Sequence, residues 1–326
     1  MKLKGNLLLS ALSPYLKSLA TLGILYYHYF RASFVAEHGQ YPVAIQWQWV
    51  NSFAELQISS PSWFEGILRN FGFLGVTIFF VLSGWGLGHS YLQKGYTQIP
   101  YREFLKKRLL RIAPLYYFAI LVSVLFYLIK FAGDWSKQQD VLVSFLMKAT
   151  FLHTFHPRMM ANYNSTLWFI GTLFFLYLMF PLLYGMMRKL PGKTLLASLL
   201  VAGGSSLIIL KSPLNAWHPY LAMGGFPLTK LGEFAFGVFL ALSLAKQNSA
   251  TQPWKEPSLV KPLKWMGAYS YGVLLFHRPL IEDSMVWFNA IKIHSPILQA
   301  TLFIVVAALL FGFLEKGFNA LWNRVN

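Results

Sequence analysis

Eight long apolar stretches decide what this chain can fold into. They cover about residues 12–34, 69–92, 109–131, 166–187, 194–210, 228–245, 265–283 and 297–319. A helix needs roughly 20 mostly apolar residues to cross a bilayer. The predicted fold is all-α: a polytopic bundle of transmembrane helices with eight robust spans. Two further stretches, 141–153 and 213–226, are apolar but short, and the second carries Pro213, Pro219, Gly224 and Gly225. Counting both gives ten helices and counting neither gives eight, and both choices put the two termini on one side. The loops are short, so a single integral membrane domain over residues 1–326 is expected, with no appended soluble domain.

Composition supports this. Charged residues make up 12% of the chain and hydrophobic ones 56%, whereas a soluble domain carries roughly 25% charged residues. Too few charges remain to build a soluble surface, and the apolar content excludes disorder. The chain has no cysteine, which excludes disulfides, thiolate metal sites and a cysteine nucleophile. The formal charge of +17 would point to nucleic acid in a soluble protein. Here it reads as positive cytoplasmic loops together with an anionic ligand, and no nucleic-acid partner is expected.

The charges also orient the bundle. Lys2 and Lys4 precede the first span. The 93–108 loop carries Lys94, Arg102, Lys106, Lys107 and Arg108, and the 246–264 loop carries Lys246, Lys255, Lys261 and Lys264. Arg324 lies in the tail. Threading the chain puts all four on one side, which the positive-inside rule makes cytoplasmic. The 35–68 loop, with Glu37, Glu55 and Glu65, then faces outward. The Arg188-Lys189 to Lys193 turn lies inside with eight spans and outside with ten. The start, with Lys2, Lys4 and Leu7 to Leu9, mimics a signal peptide, but Lys17 soon interrupts the apolar run and the segment reads as the approach to a retained helix.

Ionisable and polar groups inside apolar spans are the functional candidates. Lys17 and His28 are eleven residues apart, about 20° in azimuth and about 16–17 Å along one helix face. Lys17 also fits a residue that snorkels to the headgroups, and His28 a packing residue. Gly84 and Gly88 form a small-xxx-small face, with Ser83 beside it. Arg108 and Arg111 share a helix face just before Pro114, and a paired guanidinium face suits phosphate. Glu233 can pair with a membrane cation or line a polar cavity. Tyr269, Ser270, Tyr271 and His277 make a polar stripe. His153 and His156 lie three apart with Arg158 after them, but no carboxylate is close in sequence, and no metal is expected.

In order along the chain, these pieces resemble the acyltransferase 3 family of integral membrane acyltransferases. Four blocks carry the resemblance. The first is Lys17 with His28 after ten intervening residues. The second is the Gly75 to Gly84 run ending Phe79-Phe80-Val-Leu-Ser83-Gly84. The third is Arg108-x-x-Arg111-Ile-x-Pro114. The fourth is Gly267-x-x-Ser270-Tyr271 with His277 six residues on. Leu167-Trp168 with Tyr177 and Pro181, and Leu231-Gly-Glu233-Phe-Ala-Phe-Gly237, are similar to two further family blocks. The chain departs from the family where Pro14 and Leu173 stand at positions that carry an acid in many members.

The resemblance implies ten membrane helices in a bacterial cytoplasmic membrane, with both termini inside. It implies transfer of an acyl group, most often acetyl, from cytoplasmic acyl-CoA to a hydroxyl of a cell-surface or lipid-linked carbohydrate. On that reading Arg108, Arg111 and Lys17 hold the donor's phosphates. His28 acts as general base or carries the acyl group. Ser83, Glu233, Tyr271 and His277 are further active-site candidates. The competing reading is a transporter or flippase for an anionic or lipid-linked solute, since broken helices and a basic vestibule also fit that class. A binding protein of a polysaccharide assembly complex is a third.

Overall fold

The computed structural model describes residues 5–38, 63–211, 221–245 and 260–325. Every regular element among them is helical. In chain order these are α1 (Gly5–His38), α2 (Trp63–Phe71), α3 (Leu74–Gln93), α4 (Tyr101–Lys130), α5 (Val141–Ala149), α6 (Pro157–Ala161), α7 (Trp168–Lys189), α8 (Pro191–Lys211), α9 (Leu231–Leu244), α10 (Lys261–Ala268), α11 (Ser270–Phe276), α12 (Ile281–Ala290) and α13 (Pro296–Val325). The expected all-α class holds.

Among the described residues, six helical segments are long and apolar enough to cross a membrane: Leu8–Glu37, Tyr101–Lys130, Ser165–Lys189, Pro191–Lys211, Pro227–Leu244 and Pro296–Trp322. The expected count of eight is corrected at two places. The 69–92 stretch is not one helix, because α2 ends in it and a turn at Gly72 and Phe73 precedes α3. At 20 residues α3 is long enough, but its four glycines, Ser83 and His89 dilute its apolar character. The 265–283 stretch is broken into α10, α11, a turn at Arg278–Leu280 and the start of α12. Pro279 explains the break after α11, since its ring clashes with the carbonyl four residues back and it offers no N–H.

The two weak stretches fare differently. The 141–153 stretch forms only α5 and a short turn, Leu152–Phe155. Nine residues rise about 13 Å, less than half of a hydrocarbon core of roughly 30 Å. Most of the 213–226 stretch lies outside the described residues, as do Lys2, Lys4 and most of the 35–68 and 246–264 loops.

The chain divides into two compact units, with boundaries inside α1 and α3. One comprises Met1–Ser13 and Thr77–Glu256, the other Pro14–Val76 and Pro257–Asn326.

The first unit packs around Phe80, Phe104, Tyr116, Phe180, Tyr184 and Phe234, all fully buried. Its α3 and α9 meet through small residues: a Cβ on Gly84 would run into the Phe234 carbonyl, and one on Gly237 into the Val81 carbonyl. Backbones can approach this closely only where both faces lack side chains. Before α9 the chain turns at Gly224, whose φ of +148° suits only glycine. The Thr172 hydroxyl of α7 bonds the Gly224 and Gly225 carbonyls at 3.0 and 2.9 Å.

The second unit is held by similar contacts. A Cβ on Gly72 or Gly75 would strike the Gly23 or Ala20 carbonyl of α1. Gly267 sits against the Pro14 carbonyl, and the Ser18 hydroxyl donates to the Leu263 carbonyl. The Tyr26 and Tyr29 hydroxyls of α1 bond Thr301 at 3.0 Å and Gln299 at 3.2 Å on α13. These ties fix the rotation of α1 and so the direction of His28.

Candidate active site

The second unit brings His28 and His277 together. His28 is on α1, in the C-terminal half of a long apolar helix. His277 caps the C-terminal end of α11 and is fully buried. The His28 Nδ1 and His277 Nε2 atoms are 2.7 Å apart. The ring planes differ by only 11° and the centroids are 5.1 Å apart. Two imidazoles joined nitrogen to nitrogen within a common plane give this separation, so the contact is a hydrogen bond along the ring edges. The other nitrogen of His277, Nδ1, lies 3.0 Å from the Val273 carbonyl.

α11 is itself anchored. Its Gly272 N–H donates to the Glu315 carboxylate of α13 at 2.6 Å. Gly272 has no side chain to hold the two helices apart, and a Cβ there would come within 2.8 Å of Glu315 Cβ and of the Phe311 carbonyl. A carboxylate that takes an N–H in the first turn of a helix also offsets the helix dipole. Glu315 is a lone acid inside the last apolar stretch. That position was the signal that should have marked it, because an ionisable residue in a span is rarely incidental. Tyr271, also expected at the site, is half-buried on the first turn of the same helix.

Lys17 shares α1 with His28 but not its location. It is half-buried about three turns away, and its carbonyl accepts the Thr21 hydroxyl at 2.8 Å. The structure therefore joins His28 to His277 and keeps Lys17 at the other end of the shared face.

The first unit gathers Ser83, Arg108 and Arg111 around a residue not singled out as a site: Tyr177 of α7. Ser83, Arg108 and Arg111 all act on the Tyr177 hydroxyl, the two guanidinium groups electrostatically. Arg108 is half-buried and its carbon Cζ lies 5.9 Å from the Phe104 ring. Its Nε is buried with no hydrogen-bond partner among the described residues. Arg111, one turn on, is exposed. Two guanidinium groups on one face, one of them with an unused buried donor, match the fork geometry that anionic oxygens bind.

Glu233 does not join that cluster through any described contact. It pairs with Lys230 of its own helix start at 2.7 Å. Neither do His153 and His156. His153 Nε2 bonds the Leu167 carbonyl at 3.1 Å, and His156 accepts the Met159 N–H at the start of α6. Arg158 pairs with Asp140. Among the described residues no three potential metal ligands converge.

Residues 14–260 match the acyltransferase domain family whose blocks the sequence resembles. The chain belongs to the acyltransferase 3 family. It is also similar to the acyltransferase MdmB of Streptomyces mycarofaciens, with 28% identity over 229 residues, covering 65% of this chain and 56% of that protein. The matched region thus spans little more than half the length of that relative. No solved structure matches. The family match includes Lys17, His28, Ser83, Arg108, Arg111 and Glu233 but stops before Tyr271 and His277. His277 therefore enters the site on geometry and on the fourth block alone. In family terms, the acyltransferase blocks fall into two groups: an imidazole pair in one unit and a cationic tyrosine cluster in the other.

Proposed function

We propose that the chain is an integral membrane O-acyltransferase that moves an acyl group, most often acetyl, from acyl-CoA to a hydroxyl of a cell-surface or lipid-linked carbohydrate. Family membership supports the reaction class. The observation that carries the reading to particular residues is the imidazole pair of a half-buried His28 and a fully buried His277, joined nitrogen to nitrogen at 2.7 Å. An imidazole can take and return a proton near neutral pH. His28 removes the proton of the acceptor hydroxyl as its oxygen attacks the thioester carbonyl carbon. The new C–O bond forms, the C–S bond breaks, and His28 returns the proton to the departing CoA thiolate. Arg108 and Arg111 bind the phosphates of the donor, and Lys17 adds to the cationic field. Ser83 and Tyr271 are candidates to stabilise the tetrahedral oxyanion. The basic residues Arg102, Lys106 and Lys107 support a cytoplasmic face for the α3–α4 loop, with both termini on that side, and a bacterial cytoplasmic membrane as the location.

The test uses purified protein in lipid nanodiscs, acetyl-CoA labelled in the acetyl group, and cell-surface glycan extracts. Label on glycan with matching release of free CoA is expected, together with loss of both in His28→Ala protein that still binds CoA. Full transfer by well-folded His28→Ala would overturn the role of His28. Movement of a solute without CoA release would place the protein among transporters instead.

A further inference from the structure

Every hydrogen bond of the imidazole pair has a definite direction, which follows from one acceptor. The Val273 carbonyl cannot donate, so His277 Nδ1, 3.0 Å away, carries a proton. The same carbonyl also takes the His277 backbone N–H at 3.2 Å, which its two lone pairs allow. His277 is fully buried, and its ring makes no ion pair among the described residues. A second proton would therefore bury an uncompensated charge, so His277 is neutral and its Nε2 holds a lone pair. The proton in the 2.7 Å bond must then sit on His28 Nδ1. A neutral His28 with Nδ1 protonated has its free lone pair on Nε2.

We propose that His277 is a positioning residue that holds His28 in the Nδ1–H tautomer and so makes His28 Nε2 the atom that accepts the hydroxyl proton. The chain of control runs from Glu315 through the Gly272 N–H to α11, from the Val273 carbonyl to His277 Nδ1, and from His277 Nε2 to His28. When Nε2 takes the acceptor's proton, His28 becomes an imidazolium whose Nδ1–H still points at the His277 lone pair. The same bond therefore also steadies the charged form until the proton passes to the thiolate. The coplanar rings further restrict the swing of His28 about its side-chain torsions. His277 does both jobs without touching substrate. The inference rests on the reading of His28 as the base.

The experiment combines nitrogen NMR with kinetics on the full chain in nanodiscs. The protein has 8 histidines, and comparison with His28→Ala picks out the signals of His28. In wild-type protein His28 is expected to show a protonated Nδ1 and a bare Nε2. His277→Leu removes the acceptor, so His28 should move toward the Nε2–H form, and kcat should fall roughly tenfold to a hundredfold with the KM for acyl-CoA unchanged. His277→Gln places a carboxamide oxygen where Nε2 was, and should recover both the tautomer and most of kcat. A wild-type His28 protonated on Nε2 overturns the proposal, and this readout needs no His277 variant to fold. So does a well-folded His277→Leu protein with unchanged kcat. Either of those results combined with an inactive His28→Ala leaves His28 as the base and removes only the role of His277. An active His28→Ala removes the underlying reading instead.

Discussion

His277 and His153 begin from the same situation. Both are fully buried, and both spend one ring nitrogen on a backbone carbonyl, Val273 for the first and Leu167 for the second. In each the carbonyl dictates which nitrogen carries the proton. They differ in what the second nitrogen meets. For His277 it is the His28 ring on another helix. For His153 it is a buried position with no hydrogen-bond partner among the described residues, in a region organised by packing. There Lys148 donates to the Met159 and Asn162 carbonyls at 2.8 and 2.6 Å and lies 4.0 Å from the Tyr163 ring centroid. That lysine closes the backbone around α6 with its donors satisfied. Burial and a carbonyl bond are therefore only the support of a histidine, and its role depends on where the remaining nitrogen is aimed.

Substitutions can break this comparison at several depths. The largest effect is expected for His28→Ala, with transfer reduced roughly a hundredfold to ten-thousandfold while CoA still binds, measured by turnover and by CoA affinity in parallel. Next is Arg108→Ala in the other unit, which should raise the KM for acyl-CoA about tenfold to a hundredfold by loss of charged hydrogen bonds, with kcat little changed. An unchanged KM would detach the arginine face from the donor. Glu315→Ala should cost about 1.5–3 kcal/mol of stability, read as a lower thermal midpoint, and lower kcat by less than His277→Leu does, because it loosens α11 without removing the imidazole contact. The smallest effect is expected for His153→Leu, with about 1 kcal/mol of stability lost with the Leu167 bond and transfer at the wild-type rate. A large kcat loss in folded His153→Leu would show that the two histidines are not divided as described.

The charge pattern made several of these residues visible beforehand. His28, Arg108 and Arg111 stood out because so few ionisable groups enter the apolar stretches. Glu233 was visible for the same reason, yet it is engaged by Lys230 one turn away, a neighbour that the sequence also offered. Glu315 was overlooked although it met the same criterion. Tyr177 could not have been found that way, since tyrosine is ordinary in a membrane helix; it stood in one family block without a role, and its position beside the arginines brings it to the site. The break of the 265–283 stretch was marked by Pro279, but apolar content concealed it.

The sequence by itself determined that the chain is helical and membrane-embedded, because a backbone in hydrocarbon must satisfy its own polar groups and a low-charge chain has no other surface to present. It also determined the short set of ionisable residues available for chemistry. Only the tertiary structure decided which of them meet. Lys17 and His28 share a helix face, yet it is His277, 249 positions away in sequence, that shares a hydrogen bond with His28. Such a contact depends on the rotation and depth of two helices, and those are set by close approaches such as Gly267 on Pro14 and Gly272 on Glu315. Periodicity along one helix carries no record of them.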